Sequence, residues 1–159
     1  MRAHRPARDE RGFTLIELMV VMVIIGITLG LVSLNALPSP QQNLQNEAQR
    51  IALLLQLARD EAIVRNRLVA FEADSERYRF LVRNETRWDP VTEEDLLRER
   101  AFKSAPLTLL LDPPGAGSTN PLRITFGREP VDKPFVLTLA SGASQVAIRA
   151  DGIGHFTVE

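Results

Sequence analysis

The sequence predicts an α+β chain: a long N-terminal helix, apolar on every side at first and amphipathic afterwards, packed on an antiparallel β-sheet domain. Three observations carry this reading. From Gly12 to about Leu37 the chain is apolar for about 25 residues, interrupted by a single acid, Glu17. Between Leu44 and Ala62, apolar residues recur at alternating steps of four and three. After Arg67 the pattern turns into short apolar segments of strand length, divided by turn residues.

The apolar run comes first. As a helix at roughly 1.5 Å per residue it is long enough to cross a bilayer core of about 30 Å. Arg2, Arg5, Arg8 and Arg11 precede it, against Asp9 and Glu10. Basic residues ahead of a span hold that end in the cytoplasm, so the rest of the chain is expected outside the inner membrane. Glu17 sits near the start of the run, where an ionisable group is unfavourable and becomes a functional candidate by default. Gly26 and Gly30 lie four apart. That spacing permits close helix approach, and the general frequency of Gly in membrane helices explains it equally well.

Pro38 and Pro40 should break or kink the helix near Leu37, because each lacks an N–H and disfavours helix at the residue before it. Ser39 then reads as an N-cap, Pro40 as the first helical residue and Gln42 as the capping-box position. Leu44, Ala48, Ile51, Leu55, Ala58 and Ala62 form one face of a helix ending near Asn66, widened by Leu54, Leu57 and Ile63. Glu61 and Arg65 are spaced for an exposed ion pair.

Leu68–Glu72 reads as a strand, 73–76 as a turn and Tyr78–Arg83 as a second strand with Tyr78, Phe80 and Val82 on one face. Asn84–Pro90 reads as a polar loop holding the single Trp, Trp88. Thr92–Asp95 can cap a short helix through about Arg98. A further strand centres on Leu107–Leu111. Asp112–Pro121, with three prolines and two glycines, reads as an exposed loop. The remaining strands are Leu122–Phe126, Phe135–Ala140, Gln145–Ala150 and Ile153–Val158. Ser141-Gly142 turns one pair, and Asp151-Gly152 reads as a two-residue hairpin turn between the last two.

The 159 residues suit one soluble domain plus an anchor. No cysteine is present, which excludes disulfides and thiolate metal sites. The net charge is -1, and the first twelve residues hold four arginines against two acids, so the chain without them carries -3. That balance argues against a broad nucleic-acid surface. His4 lies in the basic segment. His155 falls in the last strand with no paired carboxylate identifiable by spacing, and reads as a solvated or hydrogen-bonded residue. No Gly-x-Ser-x-Gly, phosphate-cradling Gly loop or His-rich metal spacing occurs. Glu93-Glu94-Asp95 reads as an acidic helical turn, and Asp112, Ser118 and Asn120 lack a calcium spacing. The residues point to no enzyme activity, no cofactor and no metal.

Arg11-Gly12-Phe13-Thr14-Leu15-Ile16-Glu17 resembles the cleavage and assembly motif of type IV pilins and type II secretion pseudopilins. The resemblance implies cleavage between Gly12 and Phe13 by a membrane aspartyl peptidase. It also implies N-methylation of Phe13 by the same enzyme, with S-adenosylmethionine as donor, and an assembly role for Glu17. A secretory peptide would be cut after its apolar region; here the cut precedes it, so the helix stays on the mature protein. The alternative is a plain signal anchor whose Glu17 snorkels to the headgroups.

Further along, Glu47–Leu54, Ala58–Ala62, Tyr78–Leu81 with Trp88, Asp95–Leu97 and Ile148–Gly152 are similar to the protein H family of minor pseudopilins. Pro38 and Pro40 depart from many relatives and put a continuous long helix in doubt. The resemblance implies a basic leader over residues 1–12, removed on maturation, a transmembrane and assembly helix over 13–37, an amphipathic helix over 38–66 and a periplasmic β-rich domain over 67–159. It implies a single-pass inner-membrane protein whose partners are the prepilin peptidase/N-methyltransferase and the pseudopilins G, I, J and K. Its expected role is a non-catalytic subunit at or near the tip of a pseudopilus that helps export folded exoproteins. A minor type IV pilin in pilus initiation or DNA uptake is the runner-up, and a membrane-anchored periplasmic enzyme the alternative of another class.

Overall fold

The computed structural model describes residues 13–35, 39–91, 95–114 and 120–159. The chain divides into two units, Met1–Pro38 and Ser39–Glu159. In the first, α1 runs over Leu15–Asn35. Thr14 caps it: its hydroxyl accepts the Glu17 N–H at 3.3 Å, and its carbonyl accepts the Glu17 and Leu18 N–H groups at 3.1 and 3.2 Å. Thr14 and Glu17 thus have the spacing of a capping box, with the acid in the first turn where the helix dipole favours it. Leu15, Ile16, Leu18, Met19, Val20 and Val21 are all exposed. Apolar side chains at these successive positions lie on every face of the helix. Thr28 donates its hydroxyl back to the Ile24 and Ile25 carbonyls at 2.8 and 3.0 Å, so it does not depend on water.

The helix starts two residues later than the expected 13, and the expected end at 37 lies outside the described residues. Among the described residues, no helix is long and apolar enough to cross a membrane. The expected transmembrane span is therefore not met by the described residues. The leader, Gly12 and the predicted break at Leu37-Pro38 lie outside them.

The second unit is built on α2 (Pro40–Val64). Ser39 is its N-cap in extended conformation, accepting the Gln42 N–H at 3.2 Å, with Pro40 entering the helix as expected. Arg65 closes the other end and Asn66 turns the chain at φ 53. Leu44, Ala48, Ile51, Leu55, Ala58 and Ala62 are essentially inaccessible, as the period predicts. Glu61 and Arg65 pair.

Two antiparallel sheets receive this face. One contains β1 (Val69–Ala73), β2 (Arg77–Asn84), β3 (Arg87–Pro90), β4 (Arg100–Ala101) and β6 (Leu122–Phe126). Its order is β3-β2-β1-β6, with β4 on β2. The other contains β5 (Thr108–Asp112), β7 (Phe135–Ser141), β8 (Ser144–Ala150) and β9 (Phe156–Val158), in the order β5-β7-β8-β9. α2 contacts β1 and β6 of the first sheet and β7, β8 and β9 of the second. Between them Phe71, Tyr78, Phe80, Phe126, Leu137, Leu139 and Ile148 are buried. Phe71 and Phe80 rings lie 5.4 Å apart, Tyr78 and Phe102 5.2 Å. Each such side chain contributes about 1.5–3 kcal/mol by leaving water.

Several expectations need correction. Asn84–Pro90 is not a loop: Arg87–Pro90 pairs with β2, and Glu85 makes the turn at φ 52. The described part of the expected short helix is a 3-10 turn over Asp95–Leu97; residues 92–94 lie outside the described residues, as do 115–119 of the expected loop. Gly142 and Ala143 join β7 to β8, with Gly142 at φ 58. The β8–β9 connection is not a two-residue turn. It spans 151–155, because the Asp151 carboxylate accepts the N–H groups of Ile153, Gly154 and His155 at 2.9, 3.1 and 3.0 Å. The expected strand start at Ile153 therefore moves to Phe156.

Candidate functional site

The sequence points to Gly12, Phe13 and Glu17, and each finds a different place. Gly12 lies outside the described residues. Phe13 stands just ahead of α1, 79% exposed. Glu17 lies in the first turn of α1, its backbone held by Thr14. Thr14 is the residue that sequence reading passed over. The signal was present as Thr-x-x-Glu immediately before an apolar run. The cap fixes where the helix begins, so Phe13 and Thr14 stay outside it.

The second unit holds three charged side chains at buried positions that the period assigns to core or strand. Glu47 on α2 pairs with Arg50, and its other oxygen accepts the Lys103 N–H at 3.2 Å. Arg59 donates to the Pro130 carbonyl and lies against Gly154. A Cβ at Gly154 would sit 2.6 Å from Arg59 Nη1, and Gly154 has φ +114, so only glycine fits there. Glu72 on β1 is held between two arginines, one on each neighbouring strand. Arg79 donates Nε–H at 2.8 Å to one carboxylate oxygen and Arg123 donates Nε–H at 3.0 Å to the other; each adds a second bond from Nη2. Burial pushes the Glu72 carboxyl up, but the hydrogen bonds and charges of Arg123 and Arg79 outweigh it and hold it below the ordinary range.

His155 is exposed and hydrogen-bonded as expected, but its place in the strand is corrected. It precedes β9 and does not lie in it, and it has a carboxylate partner, with Nδ1 2.7 Å from Asp151 Oδ2. Desolvation would raise the Asp151 carboxyl, yet the Ile153 N–H, the His155 ring and the His155 N–H lower it to about 2. The pair is exposed and closes a turn. Among the described residues, no group of three or more His, Asp or Glu side chains is arranged to hold a metal ion.

Comparison with known proteins gives the same division of the chain. Residues 7–33 match the prokaryotic N-terminal methylation motif, and residues 47–154 match the family described as type II transport protein GspH. The type II secretion system protein H of Pseudomonas aeruginosa is 38% identical over 141 residues, 85% of this chain and 78% of its own. The fold is similar to a crystal structure of the minor pseudopilin EpsH of Vibrio cholerae. The TM-score is 0.59 at 16% identity, over 76% of this chain and 98% of that one. It is also similar to the solution structure of GspH of E. coli, with TM-score 0.55 at 20% identity over 76% and 91%. The minor type IV pilin FimU of P. aeruginosa shares it at TM-score 0.53 and 18% identity, over 73% and 87%. With a family match over most of the globular unit and a relative of this identity, the chain belongs to the GspH family of type II transport proteins.

Proposed function

We propose that this chain is a minor pseudopilin of the type II secretion system, a non-catalytic subunit at or near the tip of a periplasmic pseudopilus that helps export folded exoproteins. The observation that carries the reading is the pairing of a GspH-family globular unit over 47–154 with an N-methylation motif over 7–33 in one chain. On this reading a prepilin peptidase/N-methyltransferase cuts between Gly12 and Phe13 and methylates Phe13. The apolar stretch over 13–37, with Glu17 as its one charged group and its end outside the described residues, anchors the protein in the inner membrane in a single pass. The globular unit then lies in the periplasm. Its neighbours are the pseudopilins I, J and K at the tip and G below. No cofactor is required.

Glu17 gives the assembly step its chemistry. A carboxylate among packed apolar helices needs a positive partner, since a buried unpaired charge costs several kcal/mol. Cleavage creates one, the amine of Phe13 on a neighbouring subunit.

The test separates the cap from the charge. Glu17→Gln keeps the capping-box geometry, which accepts Glu or Gln, and removes the charge. Glu17→Leu removes both. Both variants should be cleaved and inserted, and both should restore secretion of folded exoproteins poorly in a deletion strain. Full secretion with Glu17→Gln at native expression would refute the pairing role. The likeness to FimU keeps one competing reading, a minor type IV pilin. A deletion that abolishes twitching and spares secretion would replace the secretion reading with it.

A further inference from the structure

The outer face of the first sheet, turned away from α2, carries a second feature. Strand registers place Arg77, Arg79 and Arg83 of β2, Arg123 of β6, Glu72 of β1 and Trp88 of β3 on this face. Four guanidiniums therefore meet one carboxylate within the sheet, and Arg77 is paired from outside it by Glu99 at 3.2 Å and by Asp74 at 3.9 Å. Arg79, Arg83 and Arg123 outnumber Glu72 on the rest of the face, although the chain from Phe13 onward is net acidic.

The arrangement is ordered. Arg83 and Arg123 lie over the Trp88 ring, 5.6 and 5.5 Å from its centroid. Ala70 and Leu81, which share this face, are almost fully buried, so side chains laid across the sheet cover them. Glu72 fixes Arg79 and Arg123 through two N–H donors each. A guanidinium has five, so each arginine presents further donors in a set direction without an entropic cost of ordering. The side chains of Arg79 and Arg123 are 45% and 35% exposed, accessible yet held. Tryptophan and arginine on a rigid, partly desolvated platform are the residues that dominate binding energy at protein interfaces.

We infer that the Arg79–Arg83–Arg123–Trp88 face of the first sheet is a docking surface for an acidic segment of a protein partner. Carboxylates of that segment meet the outward donors of the three arginines, two of which lie over Trp88. Nucleic acid fits less well. Single strands bind by stacking bases on free aromatic faces, and here guanidiniums lie over the ring. The inference stands whether or not the chain assembles into a filament.

Trp88 is the only tryptophan, so it reports on its own surroundings. The full chain in a non-ionic detergent micelle is titrated with end-capped hexaglutamate, hexaglutamine and a twelve-nucleotide oligothymidylate. Hexaglutamate should change the Trp88 emission saturably and hexaglutamine should not. Arg83→Gln should weaken the hexaglutamate response about tenfold, Arg83→Lys should weaken it less, and Arg149→Gln on the other sheet should leave it unchanged. Thermal melts confirm that each variant is folded. Absence of a saturable response to hexaglutamate overturns the inference. So does equal weakening by Arg83→Gln and Arg149→Gln, or tighter saturation by oligothymidylate than by hexaglutamate.

Discussion

Glu72→Gln is the most informative single change in the globular unit. The Glu72 side chain is 4% exposed, while those of its partners Arg79 and Arg123 are 45% and 35% exposed. A glutamine keeps the shape. Its carbonyl oxygen can accept from one arginine, but its amide then turns N–H groups towards the other. One charge-assisted pair is lost, and two guanidiniums drawn to one point lose the anion between them. Hydrogen bonds to charged groups contribute about 1.5–3 kcal/mol. The arginines are exposed enough to return to water, which places the expected loss in the lower half of that range, about 2 kcal/mol. With a urea dependence of about 1–3 kcal/mol per M, the unfolding midpoint should fall by about 1 M.

The same change has a pH signature. The folded pKa of Glu72 is lowered from the ordinary 4.5: burial opposes this, and Arg123 and Arg79 overcome it. A depressed carboxylate pKa contributes stability above the unfolded value, lost as pH falls through the folded value. The parent should therefore exceed Glu72→Gln fully at neutrality, and the two should converge in acid, where a protonated Glu72 resembles a glutamine. Urea titrations of the fragment Ser39–Glu159 from neutral pH down to about pH 2 test this. An equal midpoint at neutrality, or a gap that stays constant into acid, would refute the clamp as a source of stability.

Three other outcomes are expected. The fragment from Ser39 should be soluble and melt cooperatively, because the compact unit begins there and Ser39 caps its first helix; aggregation at every concentration would count against that boundary. Leu55→Ala, at a position with no exposure, should cost about 2–5 kcal/mol in chemical unfolding. Gly154→Ala should cost about 2 kcal/mol or more, since it strains a positive φ and displaces Arg59 from the Pro130 carbonyl; a loss below about 0.5 kcal/mol would mean that this contact is loose.

What was legible in the sequence was local or periodic. The α2 stripe follows from a repeat that fits inside one helix, and the Ser39 cap from four adjacent residues. Glu47 and Arg59 were illegible because their partners are the Lys103 N–H and the Pro130 carbonyl, 56 and 71 residues away. On a helical wheel they look like polar intrusions at the edge of the stripe. β3 was missed for a related reason: Arg-Trp-Asp-Pro has no alternation and becomes a strand only by pairing with β2. Asp151-Gly152 resembles a tight turn, and nothing in the dipeptide tells that the carboxylate will collect three N–H groups downstream. The N-terminal methylation motif was legible because it is written in adjacent residues along the chain. The Glu72 clamp and the Trp88 platform bring together four strands and leave no linear trace.

Magnitudes bear on the role proposed for Glu17. As a first-turn acid it gains about 0.3–1 kcal/mol from the helix dipole, and its place three residues after the Thr14 cap is one that glutamine fills equally well. Against this, an acid at the centre of a membrane helix costs about 2.5–3.5 kcal/mol, less towards the end. A cap alone would be served by glutamine at a smaller penalty. The sequence nevertheless sets a carboxylate at the one interruption of an otherwise uncharged helix. A full negative charge gains its advantage over glutamine from a full positive charge nearby, and α1 itself supplies none. On the function proposed above, the partner comes from outside the helix, and the amine that cleavage would release at Phe13 of a neighbouring chain supplies that charge.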